Sequence, residues 1–291
     1  MESIDARIFT EIARQGNIST AAHMLFLTQS TVSRRLRLLE QALGVRLVER
    51  GRGLDHIALT PAGERFLPIA EQMAALERQA QTLGDSGVRL RLAVPDSIAS
   101  YRLSGFFRTV SDRYPDWTLE IAMQDSLPIC KMVADGTVDV GITNGEYSFS
   151  ELSTQELFRE DFVVLTRCPE LGARRSVHPS DLDARFEVRE ICGAAFDRWH
   201  SYWWGDGRSR ITVNLARFAV GMLRPRDDWT ILPRSVAEAL RPSDGYLLEL
   251  SEKAPERVCQ FVTRRTQRPE TETVTRELFR AMREQALGLN E

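Results

Sequence analysis

The feature that most constrains this chain is the spacing of apolar residues over positions 1–45. Ile4, Ile8 and Ile12 recur every four residues, the repeat of one helix face, and Gly16 with Asn17 predicts where that helix stops. Ser19 stands where it can cap a second, short helix whose inner face is Ala21, Ala22 and Leu25. Thr28 is placed to cap a third, along which Val32, Leu36 and Leu39 hold the apolar stripe until Gly44. Three short amphipathic helices so closely spaced make a helix-turn-helix pattern.

The outer face of the third helix carries Gln29, Ser30, Thr31, Ser33, Arg34, Arg35 and Arg37. Insertion into a DNA major groove needs such a set, because the first turns reach base edges while arginines neutralise phosphates. A solvated, arginine-bearing face is the competing explanation. Val45 to Leu47 and Ile57 to Leu59 read as two short strands around Glu49 to Asp55, where Gly51 and Gly53 permit a tight turn. That hairpin would set Arg50 and Arg52 beside the neighbouring minor groove, or be an ordinary surface hairpin. The net charge of −3 hides a local excess: between Ile18 and Thr60 six arginines face three carboxylates, leaving that segment at +3.

Thr60 and Pro61 fit the cap and first turn of a further helix. Along it Phe66, Ile69, Met73, Leu76, Ala80 and Leu83 alternate spacings of three and four, a heptad seam suited to pairing two chains. Gly84 to Gly87 breaks it, so a domain boundary is expected near residue 87.

Residues 18–63 resemble the winged helix-turn-helix of LysR-type transcriptional regulators. The likeness runs through Ala21-Ala22, Leu25, Thr28-Gln29-Ser30, Val32-Ser33-Arg34, Leu39-Glu40, Leu43-Gly44-Val45-Arg46-Leu47, Glu49-Arg50 and Leu59-Thr60-Pro61-Ala62-Gly63. Ser30 departs from it, since the family commonly has proline there. The resemblance implies that Thr28, Gln29, Ser30, Thr31, Ser33, Arg34, Arg35, Arg50 and Arg52 meet DNA, and that the following helix links two copies of the chain.

Residues 88–291 alternate apolar strands with helical patterns. Leu90 to Val94, Leu119 to Ala122, Val138 to Thr143, Phe162 to Thr166, Phe186 to Val188, Ile211 to Val213, Thr230 to Leu232 and Val258 to Thr263 read as strands. Such alternation predicts mostly parallel sheets covered on both faces. Arg113-Tyr114-Pro115, Val133 to Ile142 and Ile231-Leu232-Pro233-Arg234 resemble the effector-binding domain of the same family, itself similar to periplasmic binding proteins. Two subdomains are then implied, joined by strands crossing near Glu160 to Val164 and Arg257 to Val262, with a ligand cleft between.

The expected organisation is α/β overall. A winged helix-turn-helix occupies residues 1–60, a linker and dimerisation helix 61–87, and an effector-binding domain 88–291. Within the last, subdomain I covers about 88–161 and 260–291, and subdomain II about 162–259. At ~150 residues per domain, 291 residues suit this division.

Ligands of open parallel sheets sit beyond the carboxyl ends of strands. Ser97 and Ser100, Gln124, Asp125 and Ser126, and Thr143 and Asn144 follow three strands and are candidate effector contacts; the family resemblance adds Glu190 and Cys192, which with Arg189 end the preceding strand and face the cleft in the family geometry. Helix capping and turn chemistry explain the same residue types. Asp125 disfavours an unpaired carboxylate nearby, which weighs against an acidic metabolite. Phe196, Trp199 and Trp203 are spaced to line a ligand or, more simply, to form a core stripe. Arg224 to Trp229 departs from the glycine-rich turn the family has before its Ile-Leu-Pro segment.

Cys130, Cys168, Cys192 and Cys259 lack metal spacing and are expected as buried reduced thiols. The four histidines show no HExxH, and neither GxSxG nor a phosphate-cradling loop occurs, so no catalytic residues, metal or resident cofactor are expected. No apolar run approaches the ~18 residues of a membrane span, and Glu2, Asp5 and Glu11 interrupt any secretory signal. The expected function is a cytoplasmic, ligand-responsive regulator, homodimeric or homotetrameric, binding inverted-repeat double-stranded DNA and an unidentified small-molecule effector. RNA polymerase is a further candidate partner. The rival is an enzyme or solute-binding protein on the same two-lobed scaffold.

Overall fold

The computed structural model describes residues 3–49, 57–81, 88–205 and 207–286. Helix α1 (Ser3–Gln15) buries Ile8, Phe9 and Ile12 and stops at Gly16, whose φ of +62° turns the chain away. Helix α2 (Ile18–Met24) is capped by Asn17, not Ser19: the Asn17 side chain accepts from the N–H groups of Ser19 at 2.7 Å and Thr20 at 3.1 Å. A cap must precede the helix with extended backbone, and Ser19 already lies inside. Helix α3 (Gln29–Leu43) has Thr28 as cap and Gly44, at φ +69°, as terminus, with Val32, Leu36 and Leu39 buried. The strand expected at Val45 to Leu47 lies further on, where β1 (Val48–Glu49) pairs antiparallel with β2 (Ala58–Leu59). Glu40 is the reason, since its carboxylate accepts the Leu47 N–H at 2.9 Å and ties this segment to the end of α3.

Helix α4 (Pro61–Gln81) begins with Thr60 accepting from the Gly63 N–H at 3.0 Å. Gly63 is required there, because a Cβ would lie 2.1 Å from the Leu47 carbonyl oxygen. The expected seam divides over two flanks of α4. Phe66 and Ala70 are buried and Met73 packs beside them, with the Phe66 ring 5.3 Å from Phe9, whereas Ile69 and Leu76 are 51% and 60% exposed. Phe66 and Met73 therefore serve the core of their own chain. Ala80 falls within α4, while Leu83, Arg50 and Arg52 lie outside the described residues.

The chain divides into two compact units after Gly87. The second starts with β3 (Val88–Val94), α5 (Asp96–Tyr101), α6 (Ser104–Arg113), β4 (Trp117–Met123), α7 (Ser126–Ala134), β5 (Val140–Asn144) and β6 (Leu152–Glu160). It continues through β7 (Phe162–Thr166), α8 (Pro169–Gly172), β8 (Ser176–Val177), β9 (Val188–Glu190), α9 (Ala194–Trp204), β10 (Ile211–Val213) and α10 (Ala216–Gly221). Then come β11 (Trp229–Pro233), α11 (Arg234–Leu240), β12 (Tyr246–Leu250), β13 (Arg257–Arg264) and α12 (Pro269–Ala286).

One lobe is a five-stranded sheet, β4-β3-β5-β13-β6; the other is a four-stranded sheet, β11-β7-β12-β8, beside the parallel pair β9 and β10. The sheets are mixed rather than mostly parallel: β13 runs against β5 and β6, and β7 runs against β11 and β12. Strand β13 enters the first sheet at Arg257, slightly before the expected subdomain limit. The segment read as a strand from Phe186 begins instead with a single 3-10 turn, Ala184–Phe186, where Asp183 accepts the Arg185 N–H at 2.9 Å.

Phe196 and Trp199 belong to a core with Phe162 and Trp229, so the aromatic stripe is packing. The departure at Arg224 to Trp229 is an ion cluster: fully buried Asp228 binds Arg210 at 2.6 Å and Arg224 at 2.9 Å. Burial alone would raise the Asp228 carboxyl, but the two arginines outweigh it and hold it below its ordinary value.

Candidate nucleic-acid interface and ligand cleft

Two sites emerge, one in each unit. In the first, the Thr28 hydroxyl accepts from the Thr31 N–H at 3.2 Å and lies within 3.0 Å of the Ser30 hydroxyl, which fixes the first turn of α3. Gln29, Ser30, Thr31 and Arg34 are exposed, and Ser33 is half-buried. Arg35 differs from them. Its guanidinium lies 3.3 Å from the carboxylate of buried Asp5, so it ties α3 to α1. Phe26, in the turn before Thr28, went unremarked in the sequence; it is 95% exposed at φ +55°, a conformation disfavoured for a bulky residue.

The second site is a cavity of about 580 Å³ within the two-lobed unit. Pro95 to Ser97 follow β3, Gln124 to Leu127 follow β4, Asn144 ends β5, Glu190 to Gly193 follow β9, and Asn214 to Ala216 follow β10. Parallel strands thus deliver their carboxyl ends to one place, the position expected for a ligand. Ser97, Gln124, Asp125, Ser126, Asn144, Glu190 and Cys192 line it; Ser100 and Thr143 do not. Ser100 points to Asp96 on its own helix at 3.1 Å, and Thr143 is fully buried, donating to the Gly145 carbonyl at 3.3 Å.

Several lining groups are already engaged. The Ser126 hydroxyl accepts the Asn144 N–H at 2.8 Å and so clamps α7 to β5. Asn144 donates across the cleft to the Cys192 carbonyl at 3.0 Å, joining the two lobes. Ser97 accepts from Arg257 at 3.0 Å, and that buried arginine is bonded to Glu160. Arg189 turns away to Asp197 at 2.8 Å. Glu190 is 7% exposed; its carboxylate accepts from the Ala216 N–H at the start of α10, and the Cys192 thiol, 3.6 Å away, is its side-chain partner among the described residues. Burial pushes its carboxyl up to about 7, and nearby Arg257 opposes this only in part.

Asp96, Met123, Leu127, Tyr147, Ile191, Asn214 and Leu215 also line the cavity without having been singled out in the sequence. Asn214 and Leu215 could have been found by applying the strand-end rule to Ile211 to Val213. No sequence signal marks Tyr147.

All four cysteines are buried, and burial raises each thiol, Cys259 to about 12 and Cys192 well above the ordinary value. None has the low pKa of a reactive thiolate. Among the described residues no group of three or more His, Cys, Asp and Glu is arranged to hold a metal, and no helix is long and apolar enough to cross a membrane.

A helix-turn-helix unit followed by a two-lobed α/β unit with a cleft is the architecture of a class of bacterial regulators. Family models agree: residues 5–64 match the bacterial regulatory helix-turn-helix of the lysR family, and residues 84–286 match the LysR substrate binding domain. The chain belongs to the LysR family. It is 32% identical over 169 residues to the HTH-type transcriptional regulator YofA of Bacillus velezensis, covering 56% of this chain and 58% of that one. It is 31% identical over 159 residues to the regulator CysB of Haemophilus influenzae, covering 52% of this chain and 49% of that one. The matches thus span about half the length of these curated relatives. The fold is similar to that of full-length CbnR crystallised with its target DNA, at 22% identity and a TM-score of 0.68 over 97% of this chain and 100% of that chain.

Proposed function

We propose that this protein is a cytoplasmic, ligand-responsive regulator that binds inverted-repeat DNA as a dimer or tetramer. The observation that carries this is the exposed first turn of α3, with Gln29, Ser30 and Thr31 presented ahead of Arg34 on a capped helix end. Gln29, Ser30 and Ser33 supply base-edge contacts, and Arg34 neutralises phosphate. Two copies related by a two-fold axis place their recognition helices roughly 34 Å apart or a multiple of it. A small effector in the cleft favours one arrangement of the lobes, to the extent that it binds that arrangement more tightly. RNA polymerase is the partner through which DNA-bound protein acts.

Footprinting on the DNA upstream of its own gene tests this, through a protected inverted repeat whose affinity falls steeply with salt. Absence of protection at low salt on every fragment would count against it. The exposed Ile69 and Leu76 support pairing through α4. Leu76→Glu is therefore expected to lower the sedimenting mass without unfolding the chain, and an unchanged mass would move the pairing surface elsewhere.

A further inference from the structure

The cleft carries charge of one sign. Asp96, Asp125 and Glu190 line it, and no lysine or arginine does. Arg257, the cation behind Ser97, is committed to Glu160. Among the described residues, none of the three lining carboxylates has a cation within ion-pair distance. The amino-terminal ends of α5, α7, α9 and α10 also reach the cavity, through Ser97, Ser126, Gly193 and Ala216; at about half a charge each, four helix ends reduce the charge of three carboxylates without reversing it.

The cavity is also unusually apolar at its rim. Met123, Leu127, Ile191 and Leu215 line it and are 50%, 48%, 55% and 42% exposed, so large hydrocarbon surfaces stand in solvent beside the three carboxylates. Tyr147 adds an aromatic ring from the β5 side. A carboxylate or phosphate ligand would meet a net excess of negative charge here, and a small polar cation without hydrocarbon would leave the rim uncovered.

We propose that the effector is an organic ammonium bearing a hydrocarbon portion, its cationic head against Glu190, Asp96 and Asp125 and its body against the Met123, Leu127, Ile191 and Leu215 rim. This rests on the cleft being the effector site. The nearly buried Glu190, which Arg257 compensates only in part, then gains a counter-charge in direct contact, and Asn214 and Gln124 are placed to accept further ammonium hydrogens through their amide oxygens.

Calorimetry on the full-length chain with phenethylamine, n-hexylamine, 2-phenylethanol and phenylacetate at pH 8 tests it. At least one of the two amines is expected to bind, at least tenfold more tightly than the alcohol, with no binding of phenylacetate. Glu190→Gln and Asp125→Asn are each expected to weaken the amine about tenfold, and neither disturbs a structural ion pair. Equal affinity for amine and alcohol, preference for phenylacetate, absence of binding by both amines, or full affinity in Glu190→Gln would each overturn the proposal. Adding the binding amine to the footprint separates the two claims. Amine that binds without altering protection leaves the ligand class standing and contradicts ligand-responsive regulation; phenylacetate that alters protection does the reverse.

Discussion

The recognition face and the cleft solve opposite problems. The first is a contiguous stretch of one helix, exposed and bearing hydroxyls, an amide and a cation that an anionic duplex can meet directly. The second is assembled from the ends of five strands, acidic and partly buried, with its most buried carboxylate held at a cost in stability. A surface for a large polyanion can be built locally because the partner brings the complementary shape. A pocket for a small molecule needs walls from distant parts of the chain, and its chemistry depends on what those walls exclude.

That contrast can be broken at its supports. Asp228 holds Arg210, at the amino end of β10, and Arg224, so Asp228→Ala leaves two arginines without their shared carboxylate in the two-lobed unit. A loss of about 3 kcal/mol is expected in the unfolding of the two-lobed unit, with the helix-turn-helix transition unchanged in calorimetry. A uniform shift of both transitions would deny the independence of the two sites.

Glu190→Gln acts in the other direction. The native carboxyl titrates at about 7 against 4.5 in the ordinary case, so the folded state holds the proton more tightly and stability falls as pH rises through that window. The variant is expected to gain up to about 3 kcal/mol at pH 8 and under about 1 kcal/mol at pH 5, measured by urea unfolding. A gain independent of pH would show that the carboxylate is not strained by burial.

On the recognition face, Gln29→Ala is expected to flatten discrimination between operator variants by ~1–3 kcal/mol. Arg34→Ala is instead expected to weaken all sequences alike and to lower the salt slope by about 1. Identical behaviour of the two would erase the division into base and phosphate contacts. The smallest effect is expected at Phe26, where φ is +55° and the ring is almost wholly exposed. Phe26→Gly relieves that backbone without removing packing, and a gain of about 0.5–1 kcal/mol is expected in thermal unfolding.

The same contrast explains what could be read from the residues alone. Thr28, Gly44 and the Val32, Leu36, Leu39 stripe obey local rules of capping and periodicity, and the structure has them where those rules put them. Ile69 and Leu76 shared a heptad with Phe66 and Met73, yet which flank of α4 packs inward depends on α1, some fifty residues away in sequence. Strand direction was out of reach for a similar reason: periodicity reports a strand but not which way its neighbour runs. In the cleft, Gln124 and Asn144 are legible from the convergence of strand ends, and Glu190 from the family resemblance. Ser100 and Thr143 failed because one residue along a helix or a strand turns a side chain to another face. The Asp228 cluster was hidden because Arg210 approaches from a separate strand connection.

The most direct test of the central claim is selection of the full-length protein against random-sequence duplex DNA, followed by a salt titration of the winners. An inverted repeat with half-sites about one helical turn, or a multiple, apart is expected to be enriched, and that preference to be lost in Gln29→Ala. Failure to enrich any sequence, or enrichment unaffected by Gln29→Ala and Arg34→Ala together, would contradict it.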